Sequence, residues 1–148
     1  MKIFGIYNDS FFQKKPFYLP QKLWKVVCCR ANPRPFEYMK SALESIYPEA
    51  EIMLLEDIPP ALKKVILMYP DSIGLGQGSL ESYLTKRGVE LFILNGRKRH
   101  FELTSSVRRK LRLKRFLETS FLFEFLGLLF LLIFASLSTI KDKMMGRS

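Results

Sequence analysis

One apolar run near the C-terminal end constrains the fold of this chain more than any other feature. The run FLETSFLFEFLGLLFLLIFASLSTI covers residues 116–140, and only Glu118 and Glu124 interrupt it with charge. About 20 helical residues, each rising roughly 1.5 Å, cross a bilayer core about 30 Å thick. The run therefore predicts a single transmembrane helix over 116–140, and a helix buried in a soluble core is the alternative.

The basic residues around this run predict its orientation. Residues 97–115 carry 9 Lys/Arg against 1 Asp/Glu, whereas residues 1–96 carry 12 against 10. The flank before the run holds six cations, which are Arg108, Arg109, Lys110, Arg112, Lys114 and Arg115; the flank after it holds Lys141, Lys143 and Arg147, with Asp142. Because basic flanks are retained in the cytoplasm, we expect a cytoplasmic N-terminal domain and a short tail over 141–148 on the opposite side.

The basic flank itself predicts a juxtamembrane helix over 104–115. Thr104 or Ser105 is suited to cap this helix, which we expect to continue without a break into the membrane span. Each of the six cations would add about 1 kcal/mol of attraction to anionic lipid headgroups. Nucleic-acid binding is the competing use of a basic helix, but no aromatic stacking set or binding motif accompanies this one. We therefore expect an anionic bilayer as partner, and no nucleic acid.

Residues 1–103 alternate short strand-like segments with helix-like ones. The strand-like segments are KIFGIY at 2–7, LWKVVCC at 23–29, AEIMLLED at 50–57, KKVILMYP at 63–70 and VELFILN at 89–95. Phe36, Met39, Leu43 and Ile46 recur at helical spacing, and SLESYLTKR at 79–87 predicts a second, shorter helix. Residues 8–22 are expected to form an ordered loop.

These strand-like segments are apolar along their length, which favours a parallel or mixed sheet covered on both faces. The pattern predicts a small Rossmann-like three-layer α/β domain over 1–103, followed by the single C-terminal transmembrane helix. The connection through Pro59 and Pro60 is too tight for a crossover helix, so the order of the strands stays open.

Cysteine and histidine usage gives no sign of a metal site or cofactor. Cys28 and Cys29 are adjacent and are the only 2 cysteines, a spacing that suits neither a disulfide staple nor metal ligation. His100 is the single histidine and has no cysteine or acidic cluster near it in sequence. We expect reduced strand cysteines, no metal and no cofactor.

A glycine-rich segment, DSIGLGQGSLES at 71–82, joins a predicted strand to a predicted helix. Gly74, Gly76 and Gly78 lie before Ser79, which is suited to cap the helix, while Glu81 would strengthen its first turn. Backbone amides and the helix dipole would converge there on an anion. The standard dinucleotide motif fails because Ser79 stands where a third glycine is needed. A plain turn, with glycine supplying positive φ, is the alternative to a phosphate site.

The stretch IGLGQGSLESYLTKRGVELFILNGRKRH, residues 73–100, resembles the nucleotide-binding half of GT-B-type glycosyltransferases and the split glycosyltransferase subunits that act on lipid-linked sugars. The resemblance implies that Gly76, Gly78 and Ser79 hold a diphosphate, and that Glu81 approaches a ribose. It departs from the family pattern because Glu81 follows Ser79 by two residues rather than three, and because Asp71 precedes the glycines at a different spacing.

A basic tip follows the last predicted strand. Arg97, Arg99 and His100, after the Asn95-Gly96 turn signal, are candidate phosphate contacts at the sheet edge where open α/β folds bind ligands, although a solvated loop is the alternative. The candidate catalytic carboxylates are Asp9, Asp71 and Glu81.

Two functions are compatible with the sequence. The first is a membrane-anchored component of cell-envelope glycan assembly, binding a nucleotide sugar or polyprenyl phosphate at the cytoplasmic face. The second is a non-catalytic subunit of another integral-membrane complex, with the α/β domain as docking module. Glu124 either snorkels towards the cytoplasmic headgroups or contacts a larger membrane partner whose helix approaches at Gly127.

Overall fold

A computed structural model of the protein describes residues 3–146. The five strands are β1 (Phe4–Tyr7), β2 (Glu51–Met53), β3 (Lys64–Tyr69), β4 (Glu90–Asn95) and β5 (His100–Glu102). The helices are α1 (Ser10–Gln13), α2 (Gln21–Ala31), α3 (Phe36–Ile46), α4 (Gly78–Lys86), α5 (Ser105–Ser120) and α6 (Leu122–Met144), with a 3-10 turn at Leu55–Asp57. Residues 1–2 of the predicted first domain and 147–148 of the predicted tail, including Arg147, lie outside the described residues.

The five strands form one mixed sheet in the order β2-β1-β3-β4-β5. The first four strands are parallel, and β5 runs antiparallel to β4. The chain moves outward from β1 to β2 and then returns to the other side of β1 for β3, so the direction of winding reverses between β1 and β3. In open α/β sheets such a reversal creates a crevice at the carboxyl ends of the strands.

Helices cover both faces of the sheet, as the sequence predicted. On β3, Val65, Leu67 and Tyr69 pack in the cluster that includes Leu80 of α4 and Leu111 of α5. The alternate residues Ile66 and Met68 pack against Met39 and Leu43 of α3. All of these β3 residues are buried, and each large apolar side chain removed from water contributes about 1.5–3 kcal/mol. The predicted α/β class with a sheet buried on both faces is confirmed.

The predicted strand LWKVVCC is wrong, because residues 21–31 form helix α2. Pro20 precedes the helix, and Asn32 ends it with a left-handed φ of 46°. Only Val27 of the helix is buried, while Leu23 and Val26 remain 38% and 40% exposed. A central strand would bury most of this run, whereas α2 lies at the surface with one residue in the core. The free Cys28 and Cys29 are therefore helical residues.

Smaller differences concern three short elements. The predicted strand at 50–57 is shortened to β2, because the chain turns into the 3-10 segment after Met53. The predicted loop at 8–22 contains the one-turn helix α1. β5 was missed, because its three residues follow a basic turn and include only one apolar side chain, Phe101.

Helix α5 begins where predicted, with the Thr104 hydroxyl accepting a hydrogen bond from the Val107 N–H at 3.3 Å. It continues five residues into the apolar run, to Ser120, but the predicted unbroken passage from there into the span is wrong. Phe121 adopts a left-handed φ of 53° and separates α5 from α6. Within α6, the 20 residues Leu122–Lys141 are long and apolar enough to span a membrane. None of the apolar residues in this segment is buried against the rest of the residues that the structure describes.

Contacts divide the chain into two compact units between Arg115 and Phe116. The first unit contains the sheet and most of α5, and the second contains α6.

Candidate anion site

Three arginines lie around one small cavity at the carboxyl ends of β3 and β4. The cavity has a volume of about 140 Å³. Its walls come from the α2–α3 connection, the segment after β3 and the β4–β5 turn, and the lining residues are Arg30, Ala31, Asn32, Arg34, Pro70, Asp71, Ser72, Gly96 and Arg97. We call this cavity the arginine pocket.

The α2–α3 connection is fixed to the end of β3 by its backbone. The Arg34 N–H donates to the Pro70 carbonyl at 2.8 Å, and the Tyr7 hydroxyl donates to the Arg34 carbonyl at 3.1 Å. Desolvation, followed by the charge of Asp9 and a hydrogen bond to it, raises the pKa of Tyr7 to about 12. A tyrosine hydroxyl is protonated at neutral pH in any case, so it is available as the donor to the Arg34 carbonyl.

The β4–β5 turn is organised by the side chain of Asn95. Its Oδ1 accepts the N–H groups of Arg97 and Arg99 at 3.1 and 3.0 Å, and its Nδ2 donates to the Ser72 carbonyl at 3.0 Å. Gly96 follows, and its N–H donates to the Asp71 carbonyl at 3.0 Å. These bonds hold the segments after β3 and β4 together.

Gly96 is required by a close approach of two backbones. A Cβ at this position would lie 2.3 Å from the Pro70 carbonyl oxygen and 3.1 Å from Cγ of Arg34. Heavy atoms do not approach so closely without displacement, and the Pro70 atom belongs to the backbone. The glycine therefore allows two walls of the pocket to meet.

The cations Arg34 and Lys98 lie against the same aromatic ring. The Arg34 guanidinium carbon and the Lys98 Nζ each lie 5.3 Å from the centre of the Tyr38 ring. Such cation–π contacts stabilise charged groups near a ring face without neutralising them. Asp71 is the one carboxylate among the described residues that line the pocket.

The Asp71 carboxylate is committed to the glycine-rich loop. It is 1% exposed and accepts the N–H groups of Gly74 at 2.9 Å, Leu75 at 3.2 Å and Ile73 at 3.4 Å. Burial raises the pKa of Asp71, and these hydrogen bonds act in the opposite direction. The amides that an external phosphate would use at Gly74 are therefore occupied by a carboxylate of the chain itself.

The glycines of this loop serve the turn. Gly74 and Gly76 have φ of 71° and 78°, and a Cβ on either would lie 2.5 Å from the Tyr69 ring or from Phe11. Helix α4 begins at Gly78 with Gln77 as N-cap, so the predicted capping role of Ser79 is wrong. Gln77 bridges to β1 instead, because its side-chain amide donates to the Asn8 carbonyl.

Glu81 lies in the core rather than at the sheet edge. Its side chain is fully buried, and its Oε1 accepts hydrogen bonds from the Tyr69 hydroxyl at 2.6 Å and from the Arg115 guanidinium. Burial, and then the neighbouring Glu81 charge, raise the pKa of Tyr69. Burial alone would lower the pKa of Arg115, but its bond to Glu81 and the Glu81 charge raise it.

The other candidate residues are distributed around the carboxyl edge. Asp9 follows β1, is half-buried, and accepts a hydrogen bond from the Gln13 side chain at 2.7 Å. Arg97 lines the arginine pocket, whereas Arg99 belongs to the same turn but is not among the lining residues. His100 stacks on Phe92 with ring centres 5.7 Å apart, away from the pocket.

The juxtamembrane cations divide into two groups. Arg108 donates to the Thr85 hydroxyl, and Arg115 donates to the Ile73 carbonyl at 2.8 Å as well as to Glu81, so both fasten α5 to the sheet domain. The other four are exposed: Arg109, Lys110, Arg112 and Lys114. On α6, Glu124 and Gly127 lie one turn apart on an exposed surface, and nothing described lies within 4 Å of a Cβ placed on Gly127.

Sequence reasoning missed Arg30 and Arg34. Both lie around the α2–α3 connection, and α2 was predicted as a strand. The signal that could have found them is the segment RANPRP, in which two arginines flank Asn32-Pro33. Asn tolerates the left-handed conformation, and proline ends a helix, so the segment is typical of a tight connection.

A larger open depression of about 530 Å³ lies at the other end of the sheet. Its walls are formed by the end of α3 and the start of β2, with Glu49 and Glu51 at its rim. No cation is among its described lining residues, and it lies at the amino ends of β1 and β2. Since ligands of open α/β sheets bind at the carboxyl ends, we take the smaller arginine pocket as the candidate site.

These features define a class of protein: an α/β domain on a five-stranded, mostly parallel sheet, followed by a helix long and apolar enough to span a membrane. Among residues 3–146, no three His, Cys, Asp or Glu side chains form a group that could hold a metal ion. Comparison of the chain with protein-family models, curated proteins and solved structures finds no match.

Proposed function

We propose that this protein is a single-pass membrane component of cell-envelope glycan assembly whose cytoplasmic α/β domain binds a nucleotide sugar or a polyprenyl phosphate. The single observation that carries the binding proposal is the arginine pocket, in which Arg30, Arg34 and Arg97 surround one cavity. The glycan assignment is supported by the resemblance of residues 73–100 to glycosyltransferase nucleotide-binding segments. The cytoplasmic orientation is supported by the basic flank before the span.

Arginine is suited to this ligand class because its planar guanidinium donates two parallel hydrogen bonds to a phosphate. Backbone hydrogen bonds and the Asn95 side chain hold the segments that carry Arg34 and Arg97. A cavity of about 140 Å³ accepts a phosphate or diphosphate group and leaves the remainder of the ligand at the surface. This geometry suits a nucleotide sugar or a polyprenyl phosphate.

The proposed ligand site differs from the one expected at the glycine-rich loop. The Ile73, Gly74 and Leu75 amides bond Asp71, so the loop shapes the pocket wall without itself providing a phosphate cradle. The ligand would contact side chains from the α2–α3 connection and the β4–β5 turn.

A second candidate function, that of a docking subunit without catalysis, is favoured by the use of the carboxylates. Asp71 holds the glycine-rich loop, and Glu81 pairs with Arg115 in the core. Of the three candidate bases, Asp9 alone is not buried. If the protein acts as a transferase, Asp9 is the group that remains for general-base chemistry, and D9N would abolish turnover without changing ligand affinity.

Thermal unfolding of the full-length protein in detergent tests the binding proposal. The ligands are inorganic pyrophosphate, UDP-glucose, GDP-mannose and a short-chain polyprenyl phosphate. Binding stabilises the folded state by RT ln(1 + [L]/Kd), so the unfolding temperature rises with ligand concentration. R34A and R97A should each weaken binding by about tenfold to a hundredfold, because a hydrogen bond to a charged group contributes about 1.5–3 kcal/mol.

R99A is the matched control, because Arg99 belongs to the same turn but does not line the pocket. If R99A abolishes the thermal stabilisation by ligand as fully as R97A does, the ligand binds at the exposed β4–β5 turn and not in the arginine pocket. No stabilisation by any of these ligands, together with a stoichiometric membrane protein co-purifying, would favour the docking subunit.

A further inference from the structure

The segment between α1 and α2 presents two aromatic rings to solvent. Phe17 is 96% exposed and Tyr18 is 59% exposed. The two rings pack edge to face with centres 5.6 Å apart, so they form one projecting aromatic pair. Pro16 and Pro20 bracket the pair in sequence.

This aromatic pair stands on an ordered turn. Leu19 directly follows the pair and is 4% exposed, which anchors the turn in the domain. The Leu19 N–H donates to the Pro16 carbonyl at 3.2 Å, and Lys15 Nζ donates to the Pro16 and Leu19 carbonyls at 3.2 and 2.9 Å. Prolines restrict the chain further. The outward projection of Phe17 is therefore built into the fold.

The surroundings of the pair are cationic and partly apolar. Residues 10–36 contain 6 Lys/Arg and no Asp or Glu. Lys14, Lys22 and Lys25, on either side of the pair in sequence, are exposed. Leu23 and Val26, neighbours on one face of α2, are 38% and 40% exposed. A segment that exposes aromatic and aliphatic groups, carries several exposed lysines and contains no carboxylate complements an anionic lipid surface.

We infer that Phe17 and Tyr18 insert into the headgroup layer of an anionic membrane, with Lys14, Lys22 and Lys25 contacting the lipid phosphates. The amphipathic Tyr18 ring favours the boundary between water and hydrocarbon, the apolar Phe17 ring favours the hydrocarbon side of it, and lysines near an anionic leaflet add electrostatic attraction. A membrane-spanning α6 would keep this surface at high effective concentration near the bilayer, so a weak contact suffices. The inference rests on α6 being membrane-spanning and does not depend on ligand binding in the arginine pocket.

Fluorescence quenching by brominated lipids tests this inference in the full-length protein reconstituted into phosphatidylcholine–phosphatidylglycerol nanodiscs. The chain has 1 tryptophan, Trp24, so W24F provides a background in which one new tryptophan reports its own depth. F17W in this background should lose emission when brominated lipid replaces ordinary lipid. Y83W is the matched control, because Tyr83 is also an exposed aromatic, at 52%, but lies on α4.

L128W, in the middle of the apolar run of α6, reports the membrane anchor separately. Strong quenching of L128W and F17W with little quenching of Y83W is the expected result. Quenching of L128W alone would overturn the inference and leave a protein as the partner of the aromatic pair. Absence of quenching in L128W would overturn it too, by removing the span on which it rests.

Lipid charge provides the second arm of the experiment. In pure phosphatidylcholine nanodiscs, or with K14E/K22E/K25E in the F17W/W24F chain, the quenching of F17W should fall while that of L128W stays constant. Equal quenching of F17W with and without anionic lipid would overturn the assignment of the lysines.

Discussion

Arg115 offers the sharpest test of the structure, because the sequence placed it among the membrane-surface cations and the fold places it in the core. Its guanidinium donates to Glu81, whose side chain is 0% exposed, while that of Arg115 itself is 11% exposed. R115A would leave the Glu81 carboxylate buried without its cationic partner, with a hydrogen bond from the Tyr69 hydroxyl. Removing one partner of a buried ion pair costs about 3–5 kcal/mol.

The expected loss is large compared with the stability of a small domain. For a domain of this size it corresponds to a fall in unfolding temperature of about 10–20 °C. Urea unfolding of the full-length protein in detergent measures the loss in free energy of unfolding. Trp24 fluorescence reports this transition, because Trp24 lies on α2 in the sheet domain. R112A is the matched control on the same helix, since Arg112 is exposed.

The double variant E81Q/R115M separates a lost ion pair from lost packing. Gln accepts the Tyr69 hydroxyl without a charge, and Met fills part of the space, so this variant should lose less stability than R115A. A free energy of unfolding for R115A within about 0.5 kcal/mol of that for R112A would show that Arg115 is not part of a buried ion pair, since this is the range of ordinary surface substitutions.

Three further perturbations test the loops and the sheet edge. D71A should lower the free energy of unfolding by about 1–3 kcal/mol and speed hydrogen exchange of the glycine-loop amides. D71N retains an acceptor oxygen, so both effects should be smaller. Equal exchange rates of these amides in D71A and D71N would contradict their bonds to the Asp71 carboxylate. G96V should cost about 1–3 kcal/mol in the same urea assay, because its Cβ would lie 2.3 Å from the Pro70 oxygen; an unchanged urea midpoint would contradict that contact. Burial, and then the charge of Lys64, lower the pKa of His100 from 6.5. The folded state therefore binds fewer protons than the unfolded state, and the free energy of unfolding falls as the pH drops below about 6.5. H100F should flatten that slope, and an unaltered slope would exclude His100 as its source.

Hydrophobic patterning predicted the centre of the fold. β3 and β4 are continuous apolar runs that the sheet buries, and α3 shows its buried face as Met39 and Leu43 four residues apart. These elements are specified by local periodicity together with burial. The strand order could not be predicted, because the position of β2 outside β1 depends on pairings between distant segments.

Helix α2 shows why apolar composition alone misleads. LWKVVCC contains β-branched and aromatic residues, yet tertiary packing buries Val27 and leaves most of the segment at the surface. β-propensity mainly reflects the fit of a side chain to a half-buried pleated surface, and α2 does not provide one. The Phe121 interruption likewise has no proline or glycine to signal it.

The candidate site was predictable only in part. Arg97 follows a strong strand and a turn signal, so its position at the carboxyl edge could be inferred. Asp71 also follows a strand, but only the structure shows its carboxylate bonded to three amides of its own loop. Arg34 joins the pocket through the α2–α3 connection, a long-range placement that sequence spacing does not encode.

The most direct test of the central claim is a titration of UDP-glucose, and separately of polyprenyl phosphate, into the detergent-solubilised full-length protein by isothermal calorimetry. We expect saturable binding of at least one ligand to the native chain and to R99A, with affinity reduced about tenfold or more in R34A and in R97A. Binding that is unchanged in both R34A and R97A would contradict the assignment of the arginine pocket as the ligand site.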